Sequence, residues 1–245
     1  MLQEIIASYK EHPSLPETDA NSAISSVLEI MIELCPLQQF REACVSAQLP
    51  LFLYPILNSS GREDSSELIK TLSLTFIKTL LEIASQESSK AETSGEPQKE
   101  SAQEAPKSTD TLYSVEFFKN TELVPLCLRN MELGSEQTKL AATQVFYTII
   151  SSKEGLEYTC QTYDRFMATS MILSSVLGQM AGRQSPELLE TVIKIYTKLC
   201  GMANAKIVFS KNRPQMLYAE HIREAVRTSP KVKLAYEEFL RVLQS

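Results

Sequence analysis

The chain has 245 residues, with seven glycines, no tryptophan and a formal net charge of −6. Scarce glycine argues against hairpin-rich folds and glycine-rich phosphate loops, because tight turns depend on that residue. The acidic balance argues against a uniformly basic nucleic-acid binder. No apolar run approaches the ~20 residues that span a bilayer, and the N-terminus lacks the features of a secretory signal. We therefore expect a helical protein of the cytoplasm without a membrane segment, with an additional nuclear pool as an open alternative.

Helical periodicity marks five segments of the chain. Apolar side chains recur there at i, i+3 and i+4, which is typical of one buried helix face. The spacing predicts helices over residues 22–34, 66–84, 136–151, 186–200 and 231–243. Ser185-Pro186 is a favourable start for the fourth helix, since serine is a common N-cap and proline suits the first helical position.

A polar segment interrupts this pattern at residues 85–111. It holds nine Ser or Thr, six acids and three lysines, and it contains no Leu, Ile, Val, Met, Phe or Tyr. Such a segment cannot offset its ordering entropy by burial. We predict a disordered polar insertion in a single domain that spans residues 1–245.

The spacing of the first four helices predicts a repeat. Their starts differ by 44, 70 and 50 residues, and removing the polar segment from the second interval leaves 43. A long apolar helix at such intervals, with shorter helices between, is typical of an armadillo or HEAT array. An irregular helical bundle is the alternative.

Catalytic and metal-binding motifs are absent from the sequence. GxSxG, HExxH and GxxxxGK[ST] do not occur, and Gly134-Ser135 is better interpreted as a helix end followed by an N-cap than as part of a phosphate loop. The five cysteines include no CxxC pair, so we expect reduced core residues. His12 and His221 are expected to lie on the surface. We predict no enzymatic activity, no cofactor and no metal.

Charge is uneven along the chain. Residues 206–245 carry a net +4, whereas the first 205 residues carry −10. Within the basic part, Arg227, Lys231 and Lys233 are the candidates for contact with nucleic acid. A solvated last repeat is the interpretation that we favour, because no aromatic side chains interleave with these cations at a stacking spacing.

Tyr163 and Arg165 form a second candidate site, within the segment Thr162-Tyr163-Asp164-Arg165-Phe166. Aromatic rings and planar cations are the side chains that dominate binding hot spots. The alternative is a tyrosine packed in the core and a surface ion pair for the arginine.

Four stretches of the sequence resemble the Rcd-one/Caf-forty cell-differentiation family, the armadillo-repeat subunit of the Ccr-Not mRNA deadenylase complex. They are LQEII at 2–6, PLFLYPIL at 50–57, VPLCLRNMELGSEQTKLAA at 124–142 and GLEYTCQTYDRFMATSMIL at 155–173. The resemblance implies an all-α armadillo-repeat superhelix of about six repeats with no catalytic activity. It also implies binding to the Not-one scaffold subunit and to short linear peptides of RNA-binding or silencing proteins, some bearing tryptophan, in mRNA decay and translational repression.

The resemblance also implies roles for particular residues. In the family, a tyrosine and an arginine of a QTYxRF motif help to line a tryptophan pocket, and they correspond here to Tyr163 and Arg165. A peptide-docking face of the family aligns with Leu68 and Thr75 on the second helix and with Ala141 on the neighbouring face. The family has a tyrosine, a glycine and a valine there, so the groove is expected to differ in shape. Nucleic-acid binding by the repeat surface is the alternative function, and homodimerisation stays open.

Overall fold

The computed structural model describes residues 17–60, 64–93, 121–181 and 185–244. These residues form twelve α-helices and two 3-10 helices, and no strand occurs among them. The all-α fold that the sequence predicts is confirmed. The contacts divide the chain into two compact units, of which the first ends at Leu126 and the second begins at Cys127. The prediction of a single domain stays a prediction.

The first unit is built around two long helices. It contains α1 (Glu17–Leu34), α2 (Gln38–Ser46), a 3-10 helix (Leu49–Leu53), α3 (Tyr54–Asn58) and α4 (Asp64–Thr93). Helix α1 packs against α4, and apolar side chains such as Leu28 and Phe76 are fully buried. Asn21 Nδ2 donates to Ser65 Oγ at 3.0 Å, so a polar contact joins the second turn of α1 to the first turn of α4.

Helix α4 is longer than the sequence predicts. It continues to Thr93, nine residues past the predicted end at 84, so the prediction of an unstructured segment from residue 85 is wrong for residues 85–93. Apolar periodicity stops at residue 84, but the following SQESSKAET is rich in Gln, Glu, Lys and Ala, which all favour helix. Residues 94–111 of the predicted insertion lie outside the described residues.

The second unit repeats an order of short and long helices. It contains most of α5 (Leu123–Leu133), then α6 (Glu136–Ser151), α7 (Lys153–Cys160), α8 (Tyr163–Gln179), α9 (Pro186–Leu199), α10 (Ala203–Lys211), a 3-10 helix (Gln215–Tyr218), α11 (Glu220–Thr228) and α12 (Pro230–Gln244). Helix α9 packs against both α6 and α12. The three predicted helices of this unit therefore occur and stack in succession, whereas the number of repeats stays a prediction.

A chain of aromatic rings links four helices in the core of the second unit. The ring centroids of Phe166 and Phe209 are 5.2 Å apart, and Tyr196 lies 5.5 Å from Phe209 and 6.1 Å from Phe239. The two pairs of Tyr196 are edge-to-face and the Phe166–Phe209 pair is tilted, and aromatic pairs at these distances add to the free energy of apolar burial. Because Phe166 belongs to the first turn of α8, this core anchors the segment that carries Tyr163 and Arg165.

The helix starts show which predicted caps form. Ser135 caps α6, since its Oγ accepts the backbone N–H of Thr138 at 3.2 Å, and the Gly134 N–H donates to the Asn130 carbonyl at the end of α5. Ser185 precedes α9 as predicted, but its side chain makes no capping hydrogen bond. The predicted N-cap position of Ser185, with proline at the first position of the helix, is therefore confirmed, although the serine side chain does not cap a backbone N–H.

Gly155 marks a close approach between α6 and α7. Ser152 caps α7 by accepting the Gly155 N–H at 3.0 Å. A Cβ on Gly155 would overlap the backbone carbonyl of Ile149. The turn between these helices therefore requires glycine for space, since backbone cannot move aside as a flexible side chain can.

Candidate functional site

Tyr163 and Arg165 lie in the first turn of α8. Thr162 caps this helix, because its Oγ1 accepts the backbone N–H of Arg165 at 3.3 Å. The cap fixes the start of α8 at Tyr163. Tyr163 points away from the core, and 68% of the residue is exposed. Core packing of Tyr163, the alternative considered from the sequence, is therefore excluded.

Arg165 is held by two residues that precede α8. Its guanidinium carbon lies 4.2 Å from the centroid of the Tyr158 ring, and its Nη1 donates to Gln161 Oε1 at 2.9 Å. At an exposed site such a cation–π contact contributes about 0.5–1 kcal/mol. The arginine is thus oriented by a ring and an amide, where the sequence alternative predicted a surface ion pair.

Tyr158 and Gln161 are site residues that the sequence analysis missed. Both lie in the stretch GLEYTCQTYDRF, within seven residues of Arg165. Tyr158 is half-buried on α7 and Gln161 is exposed in the turn. Tyr158 reaches Arg165 only because the turn at residues 161–162 folds α8 back beside α7, and a one-dimensional pattern does not describe that fold-back.

Leu68 and Thr75 share the outer part of α4 in the first unit. Leu68 is 44% exposed, and Thr75 is half-buried, with its Oγ1 donating to the Thr71 carbonyl at 2.8 Å. Thr71 and Thr79 make the same bond to the carbonyls four residues earlier, at 2.9 Å each. This threonine row, Thr71, Thr75 and Thr79, therefore satisfies its hydroxyl donors within the helix.

Ala141 does not lie on the surface. It is 6% exposed on α6 of the second unit. Its neighbours in sequence, Lys139 and Ala142, are also buried, so this part of α6 belongs to the core. The peptide contact that the resemblance implies for Ala141 stays a prediction. The Ala141 side chain exposes little area with which a peptide could make that contact.

Two of the three candidate cations for nucleic acid face carboxylates. Arg227 Nη1 lies 3.6 Å from Glu220 Oε1 and 3.4 Å from Glu224 Oε2. Lys233 Nζ lies 3.9 Å from Glu237 Oε1, whereas Lys231 is exposed on the first turn of α12. Exposed pairs stabilise little, but they lower the local positive potential on which phosphate binding depends.

The described residues offer no cluster of His, Cys, Asp or Glu that could hold a metal ion. Four cysteines are buried and Cys160 is half-buried, all with free thiols, as the sequence predicts for the core. The prediction of a surface position is wrong for His221, because it is half-buried and its Nε2 lies 3.0 Å from the Leu177 carbonyl of α8. His12 lies outside the described residues. No described helix is both long and apolar enough to cross a membrane.

The sequence also matches a known protein family. The model of a cell differentiation family, Rcd1-like, matches residues 1–96 and 104–243. The unmatched residues 97–103 lie inside the polar segment and are fewer than the 27 residues that the sequence analysis assigned to an insertion.

Two curated proteins are similar over most of the chain. Cell differentiation protein rcd1 of Schizosaccharomyces pombe is 28% identical over 219 residues, which cover 89% of this chain and 68% of that protein. Protein CAF40 of Saccharomyces cerevisiae is 25% identical over 245 residues, which cover 99% of this chain and 59% of that protein. The chain thus spans about three fifths to two thirds of the length of these relatives.

Proposed function

Because this chain belongs to the Rcd1-like cell differentiation family, we propose that it is a non-catalytic adaptor of the Ccr-Not mRNA deadenylase complex. The adaptor joins the Not-one scaffold subunit to short linear peptides of RNA-binding or silencing proteins. It acts in the cytoplasm and contributes to mRNA decay and translational repression. Stacked helices suit this role, since their grooves accept peptides through a few anchoring side chains.

The environment of Arg165 is the observation that carries the peptide-binding part of the proposal. One face of its guanidinium is held near the Tyr158 ring at 4.2 Å, and Tyr163 stands exposed two residues before it. A planar cation in this position can stack on an indole with its other face, and Tyr163 adds an aromatic wall. One well-buried aromatic anchor contributes about 2–4 kcal/mol to binding, which gives a short peptide usable affinity.

The outer part of α4 supports a second peptide contact. Leu68 offers exposed apolar area, and the threonine row beside it has its hydroxyls satisfied within the helix. An amphipathic peptide can cover such a strip without leaving polar groups unpaired. We assign this strip, around Leu68 and Thr75, to peptides that do not use the tryptophan pocket.

Calorimetry with a tryptophan-bearing peptide tests the pocket. Arg165→Glu and Tyr163→Ala are each expected to weaken binding at least about 10-fold, because each removes at least about 1.4 kcal/mol of the anchor's contacts. Circular dichroism should show unchanged helix content in both variants, since neither side chain is buried. The same peptide with alanine in place of tryptophan should not bind.

Arg227→Glu is the matched control for these variants. It reverses the charge of another exposed arginine, on α11, and should leave the affinity for the peptide unchanged. If the folded Arg165 and Tyr163 variants bind the peptide as tightly as the parent chain does, the pocket assignment is refuted.

The adaptor role is tested by an affinity pull-down from the source cell, followed by mass spectrometry. Recovery of the Not-one scaffold together with deadenylase subunits is the expected result. Absence of all these subunits, with the bait folded and abundant, would contradict the proposal whatever the peptide measurements give.

A further inference from the structure

A cavity of about 580 Å³ lies in the second unit, where the end of α8 meets the first turns of α9 and α12 beside α11. Buried side chains of Met180, Leu189 and Ile222 supply its apolar wall. The cavity opens at the end of α8 that is opposite to Tyr163, about 25 Å along a helix of 17 residues. It is therefore separate from the proposed tryptophan pocket.

Both Ser-Pro dipeptides of the chain line this cavity. The sequence has 11 prolines, and a serine or threonine directly precedes only Pro186 and Pro230. Ser185-Pro186 opens α9 and Ser229-Pro230 opens α12, and all four residues lie on the cavity wall. Ser-Pro is the dipeptide that proline-directed kinases modify. Two potential acceptors of a phosphoryl group, Ser185 and Ser229, therefore line one cavity.

The hydroxyl of Ser185 differs from those of the serines that cap other helices. Ser135 Oγ accepts the Thr138 N–H at 3.2 Å and Ser152 Oγ accepts the Gly155 N–H at 3.0 Å. Ser185 holds the same position before α9, but its side chain makes no capping hydrogen bond. Modification of Ser185 therefore removes no contact that holds a helix, whereas modification of the other two would break a cap.

Ser185 and Ser229 are both half-buried, and they differ in the helices beside them. Helices flank Ser229 directly, because α11 ends at Thr228 and α12 begins at Pro230. Helix α8 ends at Gln179, six residues before Ser185, and the residue before a proline is biased away from helix. A kinase that binds its substrate extended would have to unwind the end of α11 and the start of α12 at Ser229, whereas among the described residues only the start of α9 adjoins Ser185.

We propose that Ser185 is a phosphorylation site for a proline-directed Ser/Thr kinase that uses ATP. In this reaction a bond forms between Ser185 Oγ and the γ-phosphorus of ATP, and the bond from that phosphorus to its bridging oxygen breaks. ADP leaves with the bridging oxygen, and the hydroxyl proton passes to the base of the kinase. The product carries a charge of about −1.5 to −2 at the mouth of the cavity, which would then disfavour apolar occupants.

The test treats the native, full chain with a purified cyclin-dependent or mitogen-activated protein kinase and ATP, and locates the phosphate by peptide mass spectrometry. Phosphate on Ser185 is the expected result. Ser185→Ala should abolish it, Ser185→Thr should retain it, and Pro186→Ala should slow it at least 10-fold while keeping the hydroxyl. Ser135→Ala and Ser229→Ala are the controls and should leave modification of Ser185 unchanged.

Three results would overturn the proposal. They are no incorporation into the native chain, incorporation on Ser185 only after denaturation, and incorporation at Ser229 or elsewhere in place of Ser185. Circular dichroism of each variant separates loss of the acceptor from loss of the fold. The outcome does not depend on the tryptophan pocket, since the two sites lie at opposite ends of α8.

Discussion

Two buried cations close the ends of helices. The Arg41 guanidinium donates to the carbonyls of Cys35 and Pro36 at 3.0 and 2.9 Å, just after α1. Lys139 Nζ donates to the carbonyls of Glu132 and Gly134 at 3.1 and 2.7 Å, at the end of α5. Terminal carbonyls lack partners within their own helix, so a cation from the next helix supplies both hydrogen bonds and favourable charge.

Lys139→Ala should lower the free energy of unfolding by about 1–2 kcal/mol, because the Gly134 carbonyl loses its donor at 2.7 Å and the Glu132 carbonyl keeps only Gln179 Nε2, at 3.3 Å. Lys153→Ala is the control, since Lys153 is 82% exposed and lies 4.0 Å from Glu157; it should change stability by less than about 0.5 kcal/mol. Urea unfolding followed by circular dichroism measures both. Equal midpoints for the two variants would contradict a capping role for Lys139.

The buried thiols make stability depend on pH in alkaline solution. Burial raises the pKa of Cys44 and of Cys200 to about 11, above the value of about 8.5 for an unfolded chain. Between these values the unfolded chain has released protons that the folded chain keeps. The folded state then binds more protons, so the free energy of unfolding falls as pH rises.

We therefore expect the contribution of these thiols to the free energy of unfolding to stay constant below about pH 8 and to fall above it. Each of these two thiols should contribute up to about 1.4 kcal/mol per pH unit between about pH 8.5 and 11. Urea midpoints at pH 7, 8, 9 and 10 measure the slope, and Cys200→Ala should make it shallower. A urea midpoint that stays constant from pH 7 to pH 10 would contradict the raised pKa of these two thiols.

At the scale of elements, the junction between α6 and α7 has no space for a side chain at residue 155. Gly155→Ala should destabilise the chain by about 1–3 kcal/mol, since the new Cβ would overlap the Ile149 carbonyl. Gly178→Ala is the matched control. Gly178 lies within α8, and its added Cβ would meet only the flexible end of Met216, at 3.4 Å. Alanine there should be neutral or stabilise by up to about 1 kcal/mol. Thermal unfolding of both variants measures the difference. A melting temperature of Gly178→Ala no higher than that of Gly155→Ala would contradict the steric argument.

The elements also show where sequence patterns are sufficient. The prediction for residues 136–151 coincides with α6, because its buried face is continuous and Ser135 marks its start. The end of α4 could not be predicted from apolar spacing, since the helix runs past its last core residues into polar ones. A pattern that records burial stops where burial stops, whereas helix propensity and hydrogen bonding continue.

At the scale of the whole molecule, the family and fold class were accessible from the sequence, and the contacts of the site were accessible only in part. Tyr163 and Arg165 could be selected by residue type and resemblance. The contact of Arg165 with Tyr158 depends on how the turn at residues 161–162 joins two helices. The burial of Ala141 and the ion pairs of Arg227 and Lys233 likewise arise from neighbours that residue type does not reveal.

The net charge of −6 also conceals local compensation. The last 40 residues carry a net +4. Within this region Arg227 and Lys233 each face a glutamate of their own helix. Long-range attraction follows the net charge of a region, in which these glutamates are already counted, whereas direct contact with phosphate needs cations that no nearby carboxylate neutralises. The basic end of the chain therefore resembles a solvated helix surface more than a track for nucleic acid.

The threonine row on α4 has a consequence for how specificity evolves. Because Thr71, Thr75 and Thr79 each bond to their own backbone, a segment that covers them need not match any donor or acceptor. Contour and volume then decide what fits, and many unrelated sequences can meet that requirement. If peptides bind there as proposed, the strip can gain or lose partners through changes in the partners alone, while its own residues stay the same.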